Sequence, residues 1–66
     1  MDIRNLKQCL ALAQHLHFGK ASVACHVSLS ALSRTIRQLE AELGVTLFIR
    51  DNRSVQITPQ GQTFLN

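Results

Sequence analysis

Residues 28–44 read SLSALSRTIRQLEAELG, and this stretch decides the fold. Leu32, Ile36, Leu39 and Leu43 recur at helical spacing and make one side apolar. Ser30, Ser33, Arg34 and Arg37 fall at i, i+3, i+4 and i+7 on the other side. Ser28 stands where an N-cap belongs, and Gly44 where a helix ends on a left-handed residue. The spacing therefore predicts a helix from Leu29 to about Leu43, apolar behind and polar-basic in front.

Upstream, Lys20 to Cys25 predicts a shorter helix with Gly19 as its N-cap. Phe18, Ala21 and Cys25 share one face, and the small residues Ala21, Ser22 and Ala24 allow another helix to approach closely. His26-Val27 is left for a tight turn. A short helix, a turn and a helix with a polar-basic outer stripe form the helix-turn-helix pattern. An earlier helix begins after Asp2, a good N-cap. Ile3, Leu6, Leu10 and Ala13 recur along it with Cys9, Leu12 and Leu16 beside them, while Arg4, Lys7, Gln8 and His15 take the other side. His17-Phe18-Gly19 breaks it.

Downstream of Gly44 the period becomes strand-like. Val45 with Leu47-Phe48-Ile49 is one β-prone run and Val55-Gln56-Ile57 another, separated by Arg50 to Ser54 with turn chemistry at Asp51-Asn52. This predicts a two-stranded hairpin, a wing. Thr58 followed by Pro59 signals a further helix, with Thr as N-cap and Pro at its first position. The expected fold is mainly α with a small β-hairpin: a winged helix-turn-helix over residues 1–57. Residues 58–66 open a fourth helix.

A chain of 66 residues holds one small domain. At that size it buries roughly 60% of its unfolded surface, which leaves little room for a catalytic cleft. The net charge of +3 favours a polyanionic partner. Lys20, Arg34, Arg37, Arg50 and Arg53 all fall in the helix-turn-helix and wing. Taken singly, each is as well explained by a solvated surface; the stripe and wing together are not. Cys9 and Cys25 sit inside apolar patterns and read as small buried hydrophobes rather than a disulfide framework. Cys9, His15, His17, Cys25 and His26 lack the paired spacing of a zinc site, so no metal is expected. No nucleophile elbow or phosphate loop is present, and no enzyme is expected. No charged-then-apolar leader opens the sequence, and its longest apolar stretches are too short to span a bilayer. A cytoplasmic, nucleoid-associated setting is expected.

A helix with this face fits the major groove of double-stranded DNA. Arg34 and Arg37 reach for guanine or a phosphate, Ser30 and Ser33 are short groups near the helix start, and Ala31 suits a thymine methyl. Glu40 and Glu42 lie late on the helix, towards the end expected to leave the groove. Arg50 and Arg53 stand at the two shoulders of the wing, and Asn52 and Arg53 at its tip suit phosphate or minor-groove contact. The alternative is a small basic helical module that binds an acidic protein.

The run Ala21-Ser22, Val27-Ser28, Ser30-Ala31-Leu32-Ser33-Arg34, Ile36, Leu39-Glu40, Leu43-Gly44, Leu47-Phe48, Arg50, Thr58 and Gly61 closely resembles the amino-terminal domain of LysR-type transcriptional regulators. The match covers essentially the whole chain in order. Within that family, His17-Phe18-Gly19, His26-Val27-Ser28 and Arg50-Asp51-Asn52-Arg53 with Val55 and Thr58 look most like an activator of branched-chain amino-acid synthesis.

The resemblance implies sequence-specific binding of an interrupted palindromic operator. It implies that Ser28, Leu29, Ser30 and Ala31 make helix-start contacts, that Ser33 and Arg34 read the groove, and that Arg50 and Arg53 serve the wing. It also implies that the helix begun at Thr58-Pro59 is the start of a dimerisation linker, and that full-length members are homodimers or homotetramers. The 66-residue piece is then a monomer or weak dimer without a cofactor, and a small co-inducer belongs to a carboxy-terminal domain. Two positions depart from the family pattern. Leu29 stands where a base-reading glutamine is frequent, and Gly19 replaces a Ser or Thr cap.

Overall fold

The computed structural model describes residues 2–51 and 54–65. Helices α1 (Ile3–His15), α2 (Phe18–Ala24) and α3 (Leu29–Leu43) precede strands β1 (Phe48–Arg50) and β2 (Val55–Ile57), and α4 (Pro59–Leu65) follows. The strands pair antiparallel, with Phe48 opposite Ile57, Ile49 opposite Gln56 and Arg50 opposite Val55. Cys9 and Leu12 of α1, Ala21 of α2 and Leu32, Ile36 and Leu39 of α3 meet in one core, closed by Leu47, Phe48 and Val55. Each fully buried leucine contributes about 1.5–3 kcal/mol.

Local chemistry fixes where the helices start. Asp2 Oδ1 accepts the Arg4 N–H at 3.0 Å, and Ser28 Oγ accepts the Ala31 N–H at 3.1 Å. The Arg4 backbone N–H, then its guanidinium, hold the Asp2 carboxyl below its ordinary pKa. Buried Thr58 does two jobs: its Oγ1 accepts the Gly61 N–H at 2.9 Å and donates to the Thr46 carbonyl at 2.6 Å. That ties the start of α4 to the segment leading into β1. Gly61 is buried where a Cβ would run into the Leu47 carbonyl, so a side chain there would push α4 off the wing. Gly44 ends α3 at φ 71°, as its sequence position predicts.

Four expectations are corrected. The cap of α2 is His17, not Gly19: the His17 Nδ1 accepts the Lys20 N–H at 3.1 Å, so α2 starts two residues early and Gly19 lies inside its first turn. On α1, Ile3, Leu10 and Leu16 are exposed. Helices α2 and α3 pack against the side of α1 carrying Cys9 and Leu12. Cys25 is only half-buried, at the end of α2, whereas Cys9 is fully buried. Val45 and Leu47 precede β1 rather than belonging to it, and Arg50 is in the strand rather than the turn. Leu47 points into the core, and its carbonyl accepts the Thr58 N–H at 2.9 Å, in register with the hairpin but beyond the end of β1.

Candidate nucleic-acid interface

Three elements converge on one surface. The turn between α2 and α3 sets the first angle. His26 adopts a left-handed conformation at φ 57°, its N–H donates to the Val23 carbonyl at 3.1 Å, and the Val27 N–H donates to Ser22 at 3.0 Å. Histidine tolerates this region better than β-branched residues do. The turn delivers α3 with Leu32, Ile36 and Leu39 buried beneath it and Ser30, Arg34 and Arg37 exposed above. The stripe read in the sequence is therefore a real outer face. Ser28 and Leu29 are exposed at its start, and Ala31 is half-buried. Ser28 Oγ is engaged as the cap, which leaves its O–H available to donate.

Two polar attachments join β1 and the segment before it to α3 among the described residues. At the outer one, an Arg50 guanidinium N–H donates to Ser33 Oγ at 2.9 Å, and the same guanidinium lies 4.1 Å from the centroid of the Phe18 ring. Phe18, Leu29, Ser30, Ser33 and Arg50 line a shallow cleft there. At the inner one, the Glu40 carboxylate accepts the N–H groups of Leu47 at 2.7 Å and Phe48 at 3.2 Å. Glu40 is half-buried and faces the wing, so it is more than the acidic end of a helix leaving a groove. Burial, with the Glu40 carboxylate adding to it, pushes the Cys9 thiol up to about 11.

The structure thus brings Ser30, Ser33, Arg34, Arg37 and Arg50 together around α3 and the wing. Asn52 and Arg53 lie outside the described residues. Asp51 Oδ1 accepts the Ser54 N–H at 2.7 Å, consistent with the turn chemistry expected beside them. Sequence reasoning missed Phe18 and Glu40 as parts of this surface. Nothing in the spacing of Phe18 links it to Arg50. A glutamate in line with Ser33, two helical turns on, was the available signal for Glu40. Among the described residues no cluster of three His, Cys, Asp or Glu side chains could hold a metal, and no helix is long and apolar enough to cross a membrane.

Comparison with known proteins agrees with this geometry. The family described as "Bacterial regulatory helix-turn-helix protein, lysR family" matches residues 3–62. The transcriptional activator IlvY of Salmonella typhimurium is 53% identical over 62 residues, which cover 94% of this chain and 21% of that protein. The chain therefore spans about a fifth of the length of that relative. Among solved structures, the CbnR DNA-binding domain in complex with DNA superposes with a TM-score of 0.94 at 37% identity, over 98% of this chain and 75% of that one. The BenM DNA-binding domain on benA site 1 DNA superposes with a TM-score of 0.92, also at 37% identity, over 98% and 73%.

Proposed function

The chain belongs to the LysR family of bacterial regulatory helix-turn-helix proteins, as its DNA-binding domain, and on that premise we propose how it reads DNA. Helix α3 enters the major groove of double-stranded DNA, and the wing touches the flanking backbone or minor groove. The carrying observation is the exposed stripe of Ser30, Arg34 and Arg37 directly opposite buried Leu32, Ile36 and Leu39. Arg34 and Arg37 have the fork that matches a guanine edge or a phosphate. Ser28, Leu29, Ser30 and Ala31 approach at the helix start, where the helix dipole and unpaired N–H groups favour a phosphate. Exposed Leu29 suits a thymine methyl. Ser33 and Arg50 form one edge of the contact, and Asn52 and Arg53 extend it along the wing.

The operator is an interrupted palindrome bound by a homodimer or homotetramer of the full-length protein, which works in the cytoplasm on the nucleoid. Residues 1–57 are the reading unit, and α4 opens the helix that pairs two subunits. Its seven residues make about two turns, too few to hold a pair by themselves, so the 66-residue chain is a monomer or weak dimer. The full-length protein is a transcriptional activator of the IlvY kind serving branched-chain amino-acid synthesis, and its co-inducer binds outside this domain.

The test is a titration of specific and random duplexes with Arg34→Ala. A loss of about 1–3 kcal/mol confined to the specific site is expected. Equal loss on both duplexes would remove Arg34 from base reading.

A further inference from the structure

Arg50 ends β1 beside the reading helix, and its guanidinium does not hang free. One face rests over the Phe18 ring at 4.1 Å, and one N–H is given to Ser33 Oγ at 2.9 Å. The two contacts come from different helices and fix different degrees of freedom. The ring contact limits how far the guanidinium can swing from α2, and the hydroxyl fixes the direction of one N–H. Arg50 is exposed, so two weak contacts acting together, rather than burial, hold a long side chain in one place. Phe18 is itself well anchored. It is the first residue of α2, half-buried against the core, and His17 caps the turn that carries it.

We propose that Phe18 is a positioning residue for DNA binding: it touches no nucleic acid and holds the Arg50 guanidinium beside the start of α3, ready to meet a backbone phosphate. This rests on the reading of α3 and the wing as a DNA surface. A guanidinium carries five N–H donors in a planar fork, so the donor given to Ser33 leaves others for phosphate oxygens. An arginine already held in its working place loses less side-chain freedom on binding than one recruited from solution. An exposed cation–ring contact is weak enough to let the guanidinium shift to meet the phosphate.

The experiment is a double-mutant cycle on the 66-residue chain, read by titration of a fluorescently labelled mixed-sequence duplex at several salt concentrations. Phe18→Leu keeps an apolar side chain but removes the ring face, and is expected to weaken binding about two- to fivefold. Phe18→Tyr restores the ring and should bring affinity back close to wild type. Arg50→Ala should weaken binding and reduce the salt slope by about one. In that background Phe18→Leu should cost nothing further. The same loss from Phe18→Leu with and without Arg50 would overturn the proposal, because Phe18 would then act only through packing. No loss from Phe18→Leu, while Arg50→Ala still weakens binding, would overturn it and leave the DNA reading standing. No loss from Arg50→Ala would remove both the proposal and the wing contact it depends on. A thermal melt of each variant, showing a folded chain at the assay temperature, confirms that the titrations compare folded proteins.

Discussion

The two attachments of β1 to α3 do the same mechanical task with opposite chemistry. The outer one joins an exposed guanidinium to a serine hydroxyl and a ring face. The inner one joins a half-buried carboxylate to two backbone N–H groups. Water competes for every donor and acceptor of the first, so it contributes little to folding. The second satisfies two donors at the edge of the core, where leaving them unpaired is expensive. The outer attachment can therefore adjust to what it meets while the inner one keeps the wing in place.

The comparison breaks most readily at Glu40. Glu40→Ala leaves the Leu47 and Phe48 N–H groups without their acceptor and should cost about 2–4 kcal/mol. Thermal melting should show a fall on the order of 10 °C or more, large for so small a domain. Glu40→Gln keeps one acceptor oxygen and should lose roughly half as much. A melting point unchanged in Glu40→Ala would mean the inner attachment is no stronger than the outer.

An alkaline titration tests whether the inner region is dry. Cys9 lies buried beneath it, with its pKa raised to about 11 in the folded chain against an ordinary value of 9.0. A thiol held neutral by folding gives stability that is complete below the unfolded pKa. That stability is lost as pH rises from about 9 through about 11, because the unfolded chain ionises first. Urea midpoints should decline over that window, and Cys9→Ala should flatten the decline. At neutral pH a disulfide reagent should modify half-buried Cys25 in the folded chain and reach Cys9 only on unfolding.

Gly44 probes the joint between the two attachments and the helix end. Its φ of 71° is strained for any residue with a Cβ, so Gly44→Ala should cost about 1 kcal/mol, although the space around it is open. The smallest expected effect on stability is that of Arg50→Ala, below about 0.5 kcal/mol by urea denaturation. If it instead approaches the loss from Glu40→Ala, the two attachments are not of different kinds.

The same contrast explains what could be read from the sequence. Helix α3, its Ser28 cap, its Gly44 stop and its outer stripe were all legible, because periodicity and capping act within one element. The hairpin was legible as two β-prone runs, but its edges were not. Leu47 has the residue type of a strand, and only the tertiary demand for an apolar plug sets it in the core outside β1. The cap of α2 is not legible, because a histidine side chain does the work of a serine or threonine there. Residue type and period point Ile3 and Leu10 inward, yet α1 meets its neighbours through Cys9 and Leu12. That Ser33, Arg34 and Arg37 share one side of one helix was legible from its period. The contacts of Phe18 and Glu40 were not, because their partners lie on other elements: the alignment with Ser33 marks where Glu40 sits on the helix, but not what it meets.

Ser33 and Glu40 are seven residues apart, so they sit almost in line on α3, and their partners run from Arg50 back to Leu47. Seven residues of helix rise about 10 Å, and three residues of extended chain cover nearly the same distance. The two segments are matched in length like the rungs and rails of a ladder. One extra codon between Ser33 and Glu40 would lengthen the helix side by about 1.5 Å and swing the carboxylate by about 100°. Substitutions in that interval can change what the helix reads, but an insertion or deletion would cost the domain its wing. The reading surface is free to diversify by point mutation and closed to change in length.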